Sequence, residues 1–357
     1  MKKILHIRSS GQVLGAEQVV LELSKNLPSF GYNPTILVPV EGSVEPTFSL
    51  KAKSMGLDVI NLGIKGAFDL SALPKLRRII KEGEFKIIHT HGYREDFYAI
   101  FACFGLKGIK LIATNHLWKK TNTKLKLYAY LDAKLLGFFN KVIAVSAPIL
   151  RAMEKFIPKH KLGLVPNGVS LDIAETSSSQ VKALRQELGL QERVPTLLTL
   201  SSLTPEKGLH VLIDALKGIT AKAPNVKLVI AGSGPEEDAL RDQAKKSGVE
   251  HNIIFAGRRE DANDILSVAD IFIMPSLNEG LPISLLEAMR AGRCVIATNV
   301  GDVANVIDNN NGMLIKPNSA NDIEATTLQL IEDSNKRRQL GKAALKTIRE
   351  RFSSIKM

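Results

Sequence analysis

Two carboxylates, Glu279 and Glu287, lie eight positions apart in the segment 275–298, PSLNEGLPISLLEAMRAGRCVIAT. The pattern predicts a loop, then a short helix, then an apolar strand. The backbone amides of Gly280 and Leu281 would then lie at the positive end of the helix dipole, beside Glu279. Amide donors suit phosphate oxygens and carboxylates suit hydroxyl groups, so the segment is consistent with a sugar-nucleotide site. An ordinary loop–helix–strand unit with two surface glutamates is the competing interpretation.

Three turns that contain glycine follow predicted strands: SSGQVLGAEQ, SLTPEKG and AGSGPEED. The first brings Gly15 to the start of a helix, and the second places Lys207 just inside one. None has the full G-x-G-x-x-G spacing, and a tight strand–helix turn is the favoured interpretation of Gly232 and Gly234.

Neither a Walker sequence nor a D-x-D sequence occurs in the chain, so we expect no metal-chelating sugar-nucleotide site. Without a metal, the growing charge on a departing diphosphate must be stabilised by the protein. Lys207 and helix N-termini could provide this stabilisation. A solvated lysine beside a turn is an equally weighted alternative.

Two of the seven histidines directly follow predicted strands, His91 in IIHTHGYR and His116 in IATNHLW. Strand ends line the ligand crevice of open α/β sheets, so both are candidates for a site. The alternative for each is a hydrogen-bonded structural histidine.

The net charge of +12 is concentrated in the first half of the chain. Residues 1–166 hold 25 Lys and Arg against 12 Asp and Glu, a balance of +13, whereas residues 167–357 hold 23 against 24, a balance of −1. This asymmetry suggests an anionic partner for the first half, which would be a membrane surface, a phosphorylated lipid or nucleic acid. The segment 116–141 carries six lysines, one aspartate and many aromatic and leucine side chains. An interfacial patch on anionic lipid and a packed amphipathic helix are both consistent with it.

The composition is that of a globular protein, with 45% hydrophobic and 24% charged residues. Cys103 and Cys294 match no metal or redox spacing, so we expect buried, reduced thiols. The N-terminus lacks the apolar region of a signal peptide, and the longest apolar run is too short to span a bilayer. We therefore expect a cytoplasmic protein, with the option of peripheral contact with the inner face of the plasma membrane.

Short β-branched runs alternate with helical patterns along the whole chain, which predicts βαβ units and parallel sheets. The first helix, GAEQVVLELSKNLPSFG, is expected to end at Gly31. We expect two doubly wound, Rossmann-like α/β domains facing across a cleft, at 1–166 and 182–345, joined by a linker at 167–181. Residues 346–357 would form the end of a C-terminal helix.

Many short segments together resemble one family, the retaining GT-B glycosyltransferases of family 4. In order, the segments are GAEQVVLEL, HTHGYR, IATNHLW, VIAVS, VPNGV, LTPEKG, VIAGSGPE, FAGR, ADIFIMPS, EGLPISLLEAMRAGRCVIAT and NGMLIKP. The likeness covers nearly the whole chain, and its style is similar to that of bacterial capsule, exopolysaccharide and lipopolysaccharide sugar transferases.

The resemblance implies roles on the donor side. Glu279 would hold hydroxyls of the donor sugar with the amides of Gly280 and Leu281 nearby, and Glu287 would hold the ribose. Lys207 would contact the diphosphate, and Gly15 would bring the first helix close to it. The Gly257–Arg258 turn would border the base.

The resemblance also implies an acceptor side and a short list of catalytic residues. His116 would lie by the transferred sugar and the acceptor, with His91 and Tyr93 in the acceptor-facing wall. The residues expected to act in catalysis are therefore His116, Glu279 and Lys207.

Three features of the sequence depart from the family pattern. Ser202, on the donor side, stands where the family usually has an arginine, and Arg258, Arg259 or Arg8 could substitute for that charge. The usual G-G-x-x-E becomes GDVAN at 301–305. The chain also ends at RFSSIKM, where the family pattern continues into a helix that crosses back onto the first domain, so we expect 346–357 to be truncated before that crossover helix.

The resemblance implies a metal-independent, retaining glycosyltransferase. It would use a nucleotide-diphosphate sugar as co-substrate, no cofactor, and a saccharide or lipid-linked acceptor, with an anionic membrane surface contacted through 116–141. An inactive homologue that acts as a scaffold and a nucleotide-sugar 2-epimerase are the alternatives. Nucleic acid is not expected as a partner, because the basic half has no nucleic-acid motif.

Overall fold

A computed structural model describes residues 1–116 and 130–357 of the chain. The chain forms two compact units, each built on its own parallel sheet. The first unit comprises Met1–Gly168 together with Ser354–Met357, and the second comprises Val169–Ser353. The expected α/β class with two doubly wound sheets is confirmed.

The first unit has a seven-stranded sheet in the order β3-β2-β1-β4-β5-β6-β7, with every neighbouring pair parallel. Its strands are β1 Lys2–Ile7, β2 Tyr32–Glu41, β3 Asp58–Ile64, β4 Ile87–Thr90, β5 Lys110–Asn115, β6 Lys141–Ala144 and β7 Leu162–Leu164. Its helices are α1 Gly15–Asn26, α2 Thr47–Ser54, α3 Ala72–Glu82, α4 Tyr93–Cys103, α5 with a described part at 130–135, and α6 Ala147–Met153.

The second unit has a six-stranded parallel sheet in the order β10-β9-β8-β11-β12-β13. Its strands are β8 Thr196–Leu200, β9 Lys227–Ala231, β10 Ile253–Gly257, β11 Ile271–Met274, β12 Cys294–Thr298 and β13 Met313–Ile315. Its helices are α7 Ser178–Glu187, α8 Leu209–Lys222, α9 Glu237–Lys246, α10 Ala262–Ser267, α11 Ile283–Arg290, α12 Ala320–Glu332 and α13 Ser334–Arg351.

The strands are apolar along most of their length because helices cover both faces of each sheet. Leu5, Ile7 and Ile88 are fully buried in the first unit, as are Leu197 and Ile296 in the second. Loops that follow parallel strands emerge at one edge of each sheet, and these edges position the candidate residues.

The first helix is shorter than expected. It ends at Asn26, and a 3₁₀ turn with Pro28 at its start continues to Phe30 before Gly31 takes a left-handed conformation, φ 82°. Proline has no backbone N–H to continue the α-helical hydrogen bonds, so the chain tightens into a 3₁₀ turn after the helix.

The chain ends in a 3₁₀ turn, Ser354–Lys356, which belongs to the first unit. There the side-chain amide of Asn26 donates to Ser354 Oγ at 3.0 Å.

Candidate functional site

Lys207 and Glu279 lie at the same edge of the second sheet, because β8 and β11 are neighbours and each residue is in the loop after its strand. Lys207 is not inside a helix, contrary to the sequence prediction. It ends a 3₁₀ turn, Pro205–Lys207, and Gly208 then separates that turn from α8 with φ 64°. A residue with positive φ interrupts helical geometry, so Lys207 belongs to the loop that precedes the helix.

The two side chains form an ion pair, with Lys207 Nζ 2.7 Å from Glu279 Oε1. The same oxygen accepts a hydrogen bond from Ser276 Oγ at 2.8 Å. The lysine side chain is 21% exposed and the glutamate side chain 9% exposed. Because both groups are poorly hydrated, separating the Lys207 ammonium from the Glu279 carboxylate would leave two poorly solvated charges. The ion pair therefore fixes the position of both groups. The site therefore presents a held cation beside a held carboxylate.

Two glycines from other loops, Gly208 and Gly301, approach the backbone of the loop that carries Glu279. A Cβ on Gly208 would lie 2.2 Å from the carbonyl oxygen of Pro275, and one on Gly301 would lie 2.2 Å from the carbonyl oxygen of Glu279. The amide of Asp302 also donates to the carbonyl of Gly280 at 2.9 Å. These contacts need the absence of a side chain, so both glycines are required for the loops to pack this closely.

We expect Gly208→Ala to destabilise the protein by several kcal/mol, because the added methyl group meets a backbone oxygen in addition to the strain of a positive φ, which alone costs about 1–2 kcal/mol. Gly248→Ala is the matched control, since Gly248 has φ 68° but nothing within 4 Å of its Cβ position. Urea unfolding of both variants measures the difference, and equal losses of stability would contradict the close packing of these loops.

The Gly232–Gly234 turn serves tight packing between loops, the interpretation that the sequence favoured. A Cβ on Gly232 would lie 1.8 Å from the carbonyl oxygen of Ser201, and one on Gly234 would lie 2.3 Å from that of Leu203. The amide of Leu203 donates to the carbonyl of Ser233 at 3.0 Å, which joins the loops after β8 and β9.

Ser202 lies half-buried in the loop after β8, with its hydroxyl oxygen 3.5 Å from Thr204 Oγ1.

Three arginines could replace the charge that is missing at Ser202. Of these, Arg8 is paired with Glu17 at 2.7 Å. Arg259 binds Asp261 and Glu187, each at 2.5 Å, and these hydrogen bonds raise the pKa of its guanidinium. Arg258 is half-buried and forms no ion pair within the described residues. Two of the three candidates are thus already engaged by carboxylates.

The remaining donor-side candidates lie where the sequence placed them. Gly280 and Leu281 are buried in the loop before α11, which begins at Ile283 after the N-cap residue Pro282. Glu287 is half-buried within α11. Gly15 is the first residue of α1.

The acceptor-side candidates converge at the edge of the first sheet. His91 follows β4 and His116 follows β5, the neighbouring strand, as predicted. His91 Nδ1 lies 3.3 Å from His116 Nε2. His91 is buried, His116 is half-buried, and Tyr93 begins α4 with its side chain exposed.

Two further histidines, which the sequence analysis did not single out, join this cluster. His6 on β1 and His89 on β4 are register partners in the sheet. His6 Nδ1 lies 3.2 Å from His91 Nε2, and His89 Nε2 lies 2.8 Å from Thr114 Oγ1. Arg8 adds a hydrogen bond to the carbonyl oxygen of His91. A histidine inside each of two predicted strands, KKILHI and IIHT, was the available signal for this cluster.

Burial lowers the pKa of every histidine in the cluster. The pKa falls to about 4 for His89 and to about 3 for His116, and well below its usual value for His6 and His91. Desolvation is the main cause, and neighbouring imidazoles and Arg8 add to it for His91. The cluster is therefore neutral at physiological pH, and His116 can exchange hydrogen bonds but carries no charge.

We expect the free energy of unfolding to fall as the pH is lowered from about 6.5 to about 4, because the unfolded chain binds protons there that folded His89 does not. Each such histidine contributes a slope of up to about 1.4 kcal/mol per pH unit. Urea unfolding between pH 7 and 4.5 measures it. His89→Asn should reduce the slope, and a slope equal to that of the wild-type protein would contradict the lowered pKa of His89.

The basic segment 116–141 is only partly covered by the structure, since 117–129 lie outside the described residues. In the described part, Lys134 Nζ lies 4.7 Å above the ring of Tyr130. Leu136 and Phe139 are buried, while Phe138 is exposed. The membrane interpretation of this segment remains a prediction.

Comparison with known protein families covers both units. The sequence model described as Glycosyltransferase Family 4 matches residues 13–173, and the model described as Glycosyl transferases group 1 matches residues 180–347. The chain belongs to the group 1 and family 4 glycosyltransferases. Transferase activity and the resemblance seen in the sequence are thereby confirmed.

Two named sugar transferases are similar to this glycosyltransferase over most of their length. It is 22% identical to UDP-Gal:alpha-D-GlcNAc-diphosphoundecaprenol alpha-1,3-galactosyltransferase of Escherichia coli, over 93% of this chain and 88% of the relative. It is 27% identical to phosphatidyl-myo-inositol mannosyltransferase of Mycolicibacterium smegmatis, over 90% and 82% of the two chains.

The crystal structure of Anabaena HepE in complex with UDP-glucose superposes on the glycosyltransferase with a TM-score of 0.87 at 23% identity, covering 99% of this chain and 96% of that one. This likeness confirms the GT-B fold. Within the part of the glycosyltransferase that the structure describes, no helix is both long and apolar enough to cross a membrane.

Proposed function

We propose that this glycosyltransferase moves a sugar from a nucleotide-diphosphate donor to a saccharide or lipid-linked acceptor, with retention of configuration and without a metal. The reaction would belong to cell-surface polysaccharide or lipopolysaccharide synthesis. The observation that carries the proposal is the ion pair between Lys207 and Glu279, a cation and a carboxylate held at the ligand-binding edge of the second sheet. The acceptor class is supported by the names of the two relatives, one acting on a diphosphoundecaprenol-linked sugar and the other on phosphatidyl-myo-inositol.

In this proposal the second unit binds the donor. Lys207 and the amides near the start of α11 stabilise the leaving diphosphate, since preorganised donors offset charge as it develops. Glu279 orients the sugar hydroxyls through its second carboxylate oxygen, Oε2, because Oε1 already accepts from Lys207 and Ser276. Glu287 holds the ribose hydroxyls. Metal independence is part of the proposal, and it is supported by the absence of a D-x-D sequence and by Lys207, a cation of the protein itself, beside Glu279.

The first unit would supply the acceptor side. His116, neutral and half-buried, would hydrogen-bond the transferred sugar or the acceptor, with His91 behind it and Tyr93 beside it. A donor phosphate oxygen would take the acceptor proton, so that attack and departure occur on the same face of the sugar. This arrangement retains the anomeric configuration.

The first test is donor binding, followed by product analysis. UDP-, GDP- and ADP-sugars are screened by thermal shift, and the stabilising donor is incubated with acceptor and excess EDTA. We expect a product whose anomeric coupling constant in proton NMR matches that of the donor. An isomerised donor formed without acceptor would identify a 2-epimerase, and the absence of any donor-induced stabilisation would identify an inactive scaffold.

We further propose that the first unit contacts an anionic membrane surface, through 116–141 and through a row of phenylalanines on and beside α4. Phe68, Phe97 and Phe101 form a chain of ring contacts with centroids 5.1 and 4.7 Å apart. Phe104, 80% exposed, follows at the end of α4. Exposed lysines and arginines lie on α3 and in the turn after α4, which suits anionic headgroups beside an apolar row.

We expect Phe101→Ser combined with Phe104→Ser to weaken binding to vesicles about tenfold, because two aromatic side chains no longer leave water. Co-sedimentation with vesicles of phosphatidylglycerol and phosphatidylcholine measures the affinity, with pure phosphatidylcholine vesicles as the test of charge dependence. Phe30→Ser is the control, since Phe30 is 58% exposed but lies outside the row. Equal binding by all three proteins would contradict the proposed surface.

A further inference from the structure

Three histidines of the first unit are hydrogen-bonded in series. His6 Nδ1 lies 3.2 Å from His91 Nε2, and His91 Nδ1 lies 3.3 Å from His116 Nε2. Both nitrogens of His91 are therefore occupied by other imidazoles. His6 is fully buried on β1, and only His116, at the other end, is partly exposed.

A neutral imidazole has one N–H and one bare nitrogen. His91 must therefore donate to one neighbour and accept from the other, which couples the tautomers of all three rings. If the donors point from His6 towards His116, each ring carries its hydrogen on Nδ1. If they point the other way, each ring carries its hydrogen on Nε2.

The inner end of the series decides between the two directions. His6 Nε2 is buried and has no hydrogen-bond partner within the described residues. In the second direction this atom would be an N–H donor without an acceptor, and buried N–H groups left unpaired are rarer than under-used acceptors. The first direction leaves a bare nitrogen there and places every N–H of the series in a hydrogen bond, except the outer one on His116.

We propose that His6 is a positioning residue that acts through His91 to fix His116 as the Nδ1–H tautomer. His116 then offers a hydrogen-bond donor at Nδ1, and the ligand group that it fits is an oxygen acceptor such as a sugar hydroxyl. The use of this donor in sugar transfer rests on the proposed function, whereas the tautomer itself does not.

A metal ion is the other occupant that this cluster could have, because ligand nitrogens of His6, His89 and His91 lie within 4.8 Å of one another. Two observations oppose it. Both ring nitrogens of His91 are already engaged by His6 and His116, so a metal ion would have to break one of these hydrogen bonds to bind it. The guanidinium of Arg8 donates a hydrogen bond to the carbonyl oxygen of His91, which places a positive charge beside the histidines.

The tautomer is tested without substrate, on the full-length protein labelled with ¹⁵N-histidine. Imidazole ¹⁵N shifts distinguish protonated from bare nitrogens, and we expect His116 to be protonated at Nδ1 and bare at Nε2. A hydrogen on Nε2 of His116 would overturn the proposal. So would stoichiometric metal in the purified protein that is lost in His6→Phe, measured by mass spectrometry.

The positioning role is tested with variants. His6→Phe removes the donor at the start of the series, and we expect the His116 tautomer to become mixed and kcat to fall about tenfold with KM for the donor unchanged. His6→Asn, which keeps a side-chain N–H, should recover most of the loss. His89→Asn is the control, since His89 belongs to the cluster but hydrogen-bonds Thr114 outside the series.

Two results would overturn the positioning role: an unchanged His116 tautomer in His6→Phe, or an equal loss of kcat in His89→Asn. If no transfer activity is found for the wild-type protein, the proposed function fails while the NMR measurement still decides the tautomer. The two failures are thus distinguishable.

Discussion

Replacing Glu279 with glutamine is expected to lower kcat about 10²- to 10³-fold, the scale of losing one preorganised electrostatic contact. The amide can still accept from Ser276, but it carries no charge to oppose Lys207 and presents an N–H₂ group where a sugar hydroxyl needs an acceptor. The lysine would also lose its charge partner and bind the donor diphosphate in an altered position. Initial-rate measurements with donor and acceptor at saturation test this.

Glu237→Gln is the matched control for that measurement. Glu237 forms a surface ion pair with Arg241 on α9, at 2.8 Å and one helical turn apart. Exposed pairs of this kind contribute about 0.3–0.5 kcal/mol, so activity should stay at the wild-type level. Wild-type kcat in Glu279→Gln would remove the carboxylate from the mechanism.

Replacing Lys207 with methionine is expected to have an effect of similar or greater size, about 10³-fold on kcat. The family resemblance implies a second cation at the position of Ser202, and of the three arginines that could replace it Arg8 and Arg259 are engaged by carboxylates. In the proposed mechanism Lys207 therefore carries most of the stabilisation of the leaving diphosphate, and Arg258 is the other candidate. Methionine keeps the length and apolar stem of the side chain and removes only the ammonium. Glu279 would then lie poorly hydrated without its partner, which also lowers stability.

Two measurements separate the catalytic loss from the structural one. Unfolding in urea reports stability, and the donor-induced thermal shift reports binding of the diphosphate. Lys222→Met is the control, because Lys222 pairs with Glu324 at the surface, 3.2 Å apart. If Lys207→Met keeps full activity while folded, stabilisation of the diphosphate must come from another group.

Much of the fold could be predicted from local patterns. The alternation of strands and helices was right, as were the positions of α11 and of the strand Cys294–Thr298, because the period of apolar residues is a local property of the chain. The helix ends were less well predicted. A 3₁₀ turn that contains a proline and is followed by a glycine replaces α-helix at both misplaced helix ends, after α1 and before α8. The residue at which the α-helix ends or begins there depends on which loops pack against the turn.

The candidate site divides in the same way. The sequence by itself placed His91, His116, Lys207 and Glu279 after strands, because a residue's position relative to its own strand is encoded within a few neighbours. It did not bring Lys207 to Glu279, 72 positions away, nor His6 beside His89. Those contacts depend on strand order, with β8 next to β11 and β1 next to β4. Strand order is decided by packing over long distances in the chain, so only the tertiary structure joined these residues into an ion pair and a histidine series.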